Sequence, residues 1–127
     1  MRESSGRLVI PDGLHHNMDK LDEITISIGQ GTGCTGTAYA ERKQTFAVMR
    51  KNWGPHTLPQ GVLAHVDPRL KWIISTPIPD PDVPGAVIGV FNVDGLDVAK
   101  ERHELEVLVD DLVAVAQTVS AVFKSLN

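Results

Sequence analysis

Apolar residues fall into short runs over the first three-quarters of this chain and take up a helical period in the last quarter. Residues 24–28 read Ile-Thr-Ile-Ser-Ile, the two-residue alternation of a strand with one buried face. Residues 7–10 form a short apolar run stopped by Pro11-Asp12-Gly13, a turn signal, and predict a strand beginning almost at the first residue. Residues 45–49 are a further compact apolar run. Residues 72–78 and 86–93 are apolar at odd and even positions alike, which predicts two strands of a sheet covered on both sides. Between them, Pro79, Pro81 and Pro84 cannot donate to a ladder, so the two strands form a wide hairpin.

The longest predicted element is a helix over residues 101–126. Leu105, Leu108, Leu112, Val115, Val119, Val122 and Leu126 are spaced alternately three and four apart, an unbroken heptad seam. Val109, Val113, Ala116 and Phe123 widen the apolar face beyond a simple seam. One side of this helix, roughly 39 Å long, can cover the sheet. The other is expected to pack on the same helix of a second chain, with Leu105, Leu108, Leu112, Val115, Val119 and Val122 as a homodimer interface.

Two segments interrupt this pattern. Residues 29–36 hold four glycines, expected to turn the chain from a strand into a short helix over 37–42. Residues 50–70 contain Gly54, Pro55, Pro59, Gly61 and Pro68 together with Trp53, His56 and His65. No long element survives there, and an irregular stretch of about twenty residues inside a domain is more often a functional loop than a spacer.

Composition narrows the function classes. The 127 residues suit one domain, which needs no disulfides. A single Cys can neither form an internal disulfide nor build a zinc site. The formal net charge of −4 opposes binding to nucleic-acid phosphates and to an anionic membrane surface. No apolar run approaches the ~20 residues of a membrane span, and the polar first ten residues hold no signal core. A cytoplasmic location is the expectation that follows.

Sequence motifs for catalysis are weak. Gly31-Thr32-Gly33-Cys34-Thr35-Gly36 fits the G-x-G-x-x-G spacing. A dinucleotide site also needs a crossover helix and an acid about twenty residues on, where this chain has His56. Cys34 near a helix start could have a lowered pKa, but packing is the plainer role. His15 and His16 point opposite ways if extended, and His65-Val66-Asp67 is a His/carboxylate candidate without the partners a metal requires. Asp80, Asp82, Asp94 and Asp97 read as solvated loop charges. No catalytic or metal-binding residue is assigned, and the sequence does not tell whether a cofactor binds.

The order of these pieces resembles the GAF domain family of small-molecule sensor modules. The likeness covers residues 7–126. It rests on the alternating strand into Ile28-Gly29-Gln30-Gly31-Thr32-Gly33, on Gly36-Thr37-Ala38, on residues 45–48, on the strand over 69–78, on Val87-Ile88-Gly89-Val90-Phe91-Asn92-Val93 and on the final helix. The resemblance implies an α+β fold: a central antiparallel sheet with a long C-terminal helix on one face, and loops and short helices over a ligand pocket on the other. It implies Trp53, His56, His65 and Ser75 as pocket-lining residues. Family members usually carry a helix and a strand ahead of the strand placed at Arg7, so residues 1–127 are expected to be a single, N-terminally abbreviated domain. The Cys-His pair of bilin-binding members and the N-K-F-D-E pattern of cyclic-nucleotide members are absent. The family's free methionine sulfoxide reductases use several cysteines, and Cys34 alone cannot form their internal disulfide.

The functional expectation is therefore a noncatalytic sensory module that binds a small molecule and dimerises through its last helix, without nucleic-acid or membrane partners. A ligand-free assembly module and a methionine sulfoxide reductase-like enzyme are the alternatives.

Overall fold

The structure, a computed structural model, describes residues 1–4, 6–10, 27–48, 58–96 and 102–126. Its elements are β1 (Arg2–Ser4), β2 (Arg7–Val9), β3 (Ser27–Gly29), α1 (Gly33–Glu41), β4 (Thr45–Val48), α2 (Gln60–Leu63), β5 (Trp72–Pro79), β6 (Val87–Gly95) and α3 (Arg102–Leu126). The six strands form one sheet in the order β3-β2-β1-β6-β5-β4, and each described pairing is antiparallel. This is the α+β architecture that the sequence predicts.

The hairpin of β5 and β6 is its longest pairing, running from Trp72 opposite Gly95 to Pro79 opposite Val87. Both strands are apolar on two faces because both faces are covered. On one face Leu8, Ile28, Ala38 and Val90 form a buried cluster, joined by Tyr39 of α1 and by Leu58, Val62 and Val66 in and around α2. On the other, Trp72 and Ile74 pack with Phe46, Val48, Val93, Leu108 and Leu112, the last two from α3.

Three expectations change. The first strand is β1, not the run at Arg7, and it lies between β2 and β6. Arg2–Ser4 offers no apolar alternation; it pairs through backbone groups, and the carbonyl of Met1 accepts from Val90 N at 2.6 Å. The short helix begins at Gly33 rather than Thr37, so the glycine segment supplies its first turn. Segment 50–70 includes the one-turn helix α2, while residues 49–57 lie outside the described residues.

The long helix matches its predicted bounds within one residue, but its heptad seam is divided. Leu108 and Leu112 pack on Trp72 and Ile74 of the same chain. Ala116 and Ser120 continue that row, both buried, and the Ser120 hydroxyl donates to the Pro79 carbonyl at 2.7 Å. The side of α3 that covers the sheet is this four-residue row rather than the three-four seam. Leu108 and Leu112, both expected at the dimer interface, are half-buried against the sheet of their own chain. Val115 (40% exposed) and Val122 (52%) face outward, and Val119 is half-buried. The side chain of Leu105 lies outside the described ones.

Candidate functional site

A polar cluster interrupts the apolar face beneath α1. The register pairs Ser75 of β5 with Asn92 of β6, placing both side chains on the face opposite α3. The first turn of α1 lowers Thr35 onto them. The Ser75 hydroxyl donates to Asn92 Oδ1 at 2.7 Å, and the Thr35 hydroxyl donates to the same oxygen at 3.1 Å. The two hydroxyls lie 3.4 Å apart. Ser75 is fully buried and Thr35 nearly so, while Asn92 is half-buried.

The close approach of α1 depends on a glycine. A Cβ at Gly36 would collide with the carbonyl oxygen of Gly29 in β3, so any larger residue would push the helix off the sheet. The same turn carries Cys34, buried against Ser75. Burial pushes its thiol up to about 11, although hydrogen bonds from the Ser75 side chain and backbone act in the opposite direction. The thiol is protonated near neutral pH and is a poor nucleophile there.

Two carboxylates stand at the end of this face. Asp67, 5% exposed, accepts from the Arg69 backbone N–H at 2.9 Å, from Arg69 Nε at 3.0 Å and from Nη2 at 2.7 Å. Asp94 lies two residues beyond Asn92, on the same face of β6. Asp94 is exposed, yet desolvation of the carboxyl, and then the charge of Asp67, raise its pKa. Among the described residues, no group of three His, Cys, Asp or Glu side chains could hold a metal ion. No helix among them is long and apolar enough to cross a membrane.

Of the four pocket residues expected from the resemblance, Ser75 sits inside the polar cluster. His65 is exposed beyond the end of α2, its backbone N–H on the Val62 carbonyl at 3.0 Å. Trp53 and His56 lie outside the described residues. Sequence reasoning missed Thr35 and Asn92. Asn92 left a signal, because it is the one amide in an otherwise apolar two-faced strand, where a buried polar group needs partners. Thr35 left none beyond its place among glycines.

No family model matches the chain, and no curated protein matches it. Solved structures do. The GAF domain of A. aeolicus nlh2 in an inactive state superposes with a TM-score of 0.60 at 18% identity, covering 80% of this chain and 59% of that one. The fold is GAF-like. The reduced fRMsr of Staphylococcus aureus gives a TM-score of 0.59 at 21% identity over 94% of this chain and 66% of that one. A type II free methionine-R-sulfoxide reductase from Thermoplasma acidophilum gives 0.53 at 19% identity over 75% and 58%. The chain thus spans less than two-thirds of the length of each.

These neighbours correct one expectation. The sequence predicts a noncatalytic module, its single Cys34 being too few for a reductase's internal disulfide, but solved structures of the same fold include free methionine-R-sulfoxide reductases. The fold does not support excluding an enzyme.

Proposed function

We propose that this GAF-like chain is a sensory module that binds a small molecule on the α1 face of its sheet and pairs with a second copy through the outer side of α3. The observation that carries the binding reading is the Thr35–Ser75–Asn92 cluster. Burying polar side chains costs free energy unless they are hydrogen-bonded, and this cluster satisfies both hydroxyls on the oxygen of Asn92, which stays half-buried. Here three polar side chains are held together beside Asp94, whose ionisation is opposed by desolvation and by Asp67. Groups kept in a costly state are concentrated at binding sites.

The test is a thermal-shift screen with free amino acids, free methionine sulfoxide and nucleotides. A ligand at one hundred times its Kd stabilises by about 2.7 kcal/mol. A true ligand raises the melting temperature of the native chain and has a smaller effect on Asn92→Ala. A panel that leaves both proteins unmoved counts against the reading.

The reductase neighbours favour a second reading, reduction of a free sulfoxide. That reaction converts a sulfoxide and two thiols of an external reductant into a thioether, a disulfide and water. Cys34 is the chain's single thiol, so a resolving thiol would have to come from the reductant. Turnover of free methionine-R-sulfoxide that is lost in Cys34→Ser supports this reading, and a flat time course removes it.

A further inference from the structure

We propose that Asn92 determines which ligand the α1 face accepts: its side-chain amide is locked as an outward hydrogen-bond donor, and it reads an uncharged oxygen acceptor such as a carbonyl. This rests on the binding reading above and assigns the chemistry of its ligand.

A carboxamide has one acceptor oxygen with two lone pairs and one nitrogen with two donors. In this structure both hydroxyl donors converge on Oδ1, from Ser75 at 2.7 Å and from Thr35 at 3.1 Å. The acceptor end is thereby filled. Neither hydroxyl bonds Nδ2, and among the described residues it has no hydrogen-bond partner. Asn92 is half-buried, whereas Ser75 is fully buried and Thr35 is 4% exposed. The clamp is therefore sealed within the protein while the amide it orients stays partly accessible. Both hydroxyls come from different elements, α1 and β5, so rotation of the amide would break two bonds at once. That is the preorganisation a recognition group needs.

The neighbouring acids set the charge of the acceptor. Asp94 follows two residues along the same face, and Asp67 lies close enough to oppose its ionisation. The Asp67 charge is already paired with Arg69, so the like charge that a carboxylate or phosphate brought to Nδ2 would meet is that of Asp94, while a neutral carbonyl would meet none. The site thus selects for uncharged acceptors by repelling charged ones.

The experiment follows the Asn92 side-chain amide by proton–nitrogen NMR in the folded chain, titrated with N,N-dimethylacetamide, acetate and methylammonium. The first accepts only and is neutral, the second accepts and is anionic, and the third only donates. N,N-dimethylacetamide is expected to shift the Asn92 amide saturably, with acetate weaker by about tenfold or more and methylammonium without effect on that resonance. Asn92→Asp retains an oxygen for both hydroxyls and replaces the outward N–H groups, so binding of N,N-dimethylacetamide is expected to vanish. Thr35→Val leaves Asn92 in place but loosens the clamp, and is expected to weaken binding several-fold. This variant keeps the proposal testable if Asn92→Asp does not fold.

Equal or tighter binding of acetate overturns the charge selection. A response to methylammonium with N,N-dimethylacetamide silent means that the carbonyl end faces outward, and overturns the proposal. Shifts elsewhere on the α1 face with an unmoved Asn92 amide overturn it while leaving the binding reading intact. Silence of the whole face to all three probes and to the metabolite panel defeats both.

Discussion

Cys34 shows how one residue's surroundings fix its chemistry. Its thiol is raised from an ordinary value of 9.0 to about 11, chiefly by burial. The sign of the linkage follows: the folded state holds this proton more tightly than the unfolded state. The stabilisation is complete below pH 9 and is lost as pH rises through about 11. Urea melts in alkali should therefore show the native chain losing stability relative to Cys34→Ser, by roughly 3 kcal/mol across that window. A constant difference between the two proteins from pH 8 upward would show that the thiol titrates normally. Arg42 is a second case. It caps α1 in the left-handed region at φ 58° and ψ 33°, a conformation that costs a side chain about 1 kcal/mol and suits glycine. Arg42→Gly should raise stability by roughly 0.5–1 kcal/mol, read as a higher urea midpoint at unchanged slope.

At the scale of elements, α1 matters most, because it carries Thr35 and Cys34 and rests on a contact only glycine allows. In Gly36→Ala the new Cβ meets the Gly29 carbonyl, which belongs to the backbone of a paired strand and cannot rotate away. The expected cost is roughly 1–3 kcal/mol, with loss of ligand binding because Thr35 moves with the helix. A variant as stable as the native chain in denaturant melts would show that α1 does not sit this close. The outer edge of α3 makes the opposite kind of claim. Val115→Lys and Val122→Lys change exposed positions and should leave the fold intact, whereas Leu112→Lys puts a charge against Trp72 and Ile74 and should unfold it. If α3 mediates pairing, sedimentation will show a dimer for the native chain and a monomer for the double lysine variant. A native monomer removes that part of the proposal.

At the scale of the whole molecule, the sheet, its two covered faces and the terminal helix were legible in the sequence because they rest on periodicity. Two-sided apolarity at residues 72–78 and 86–93 requires cover on both sides, and α1, α2 and α3 provide it. The site was only partly legible. Ser75 was anticipated, but its partners Thr35 and Asn92 are 40 and 17 residues away from it. β1 was missed because Arg2, Glu3 and Ser4 carry no apolar signal and pair through the backbone. The three-four spacing of the heptad seam names an apolar stripe without saying which edge of it meets the sheet. Sequence alone settled that there are strands, a long amphipathic helix and one thiol, since local pattern and composition encode those directly. Tertiary structure decided which hydroxyls meet Asn92, which valines stay outside and how far the thiol is from ionising, because each depends on strand register and on elements that the chain brings together from a distance.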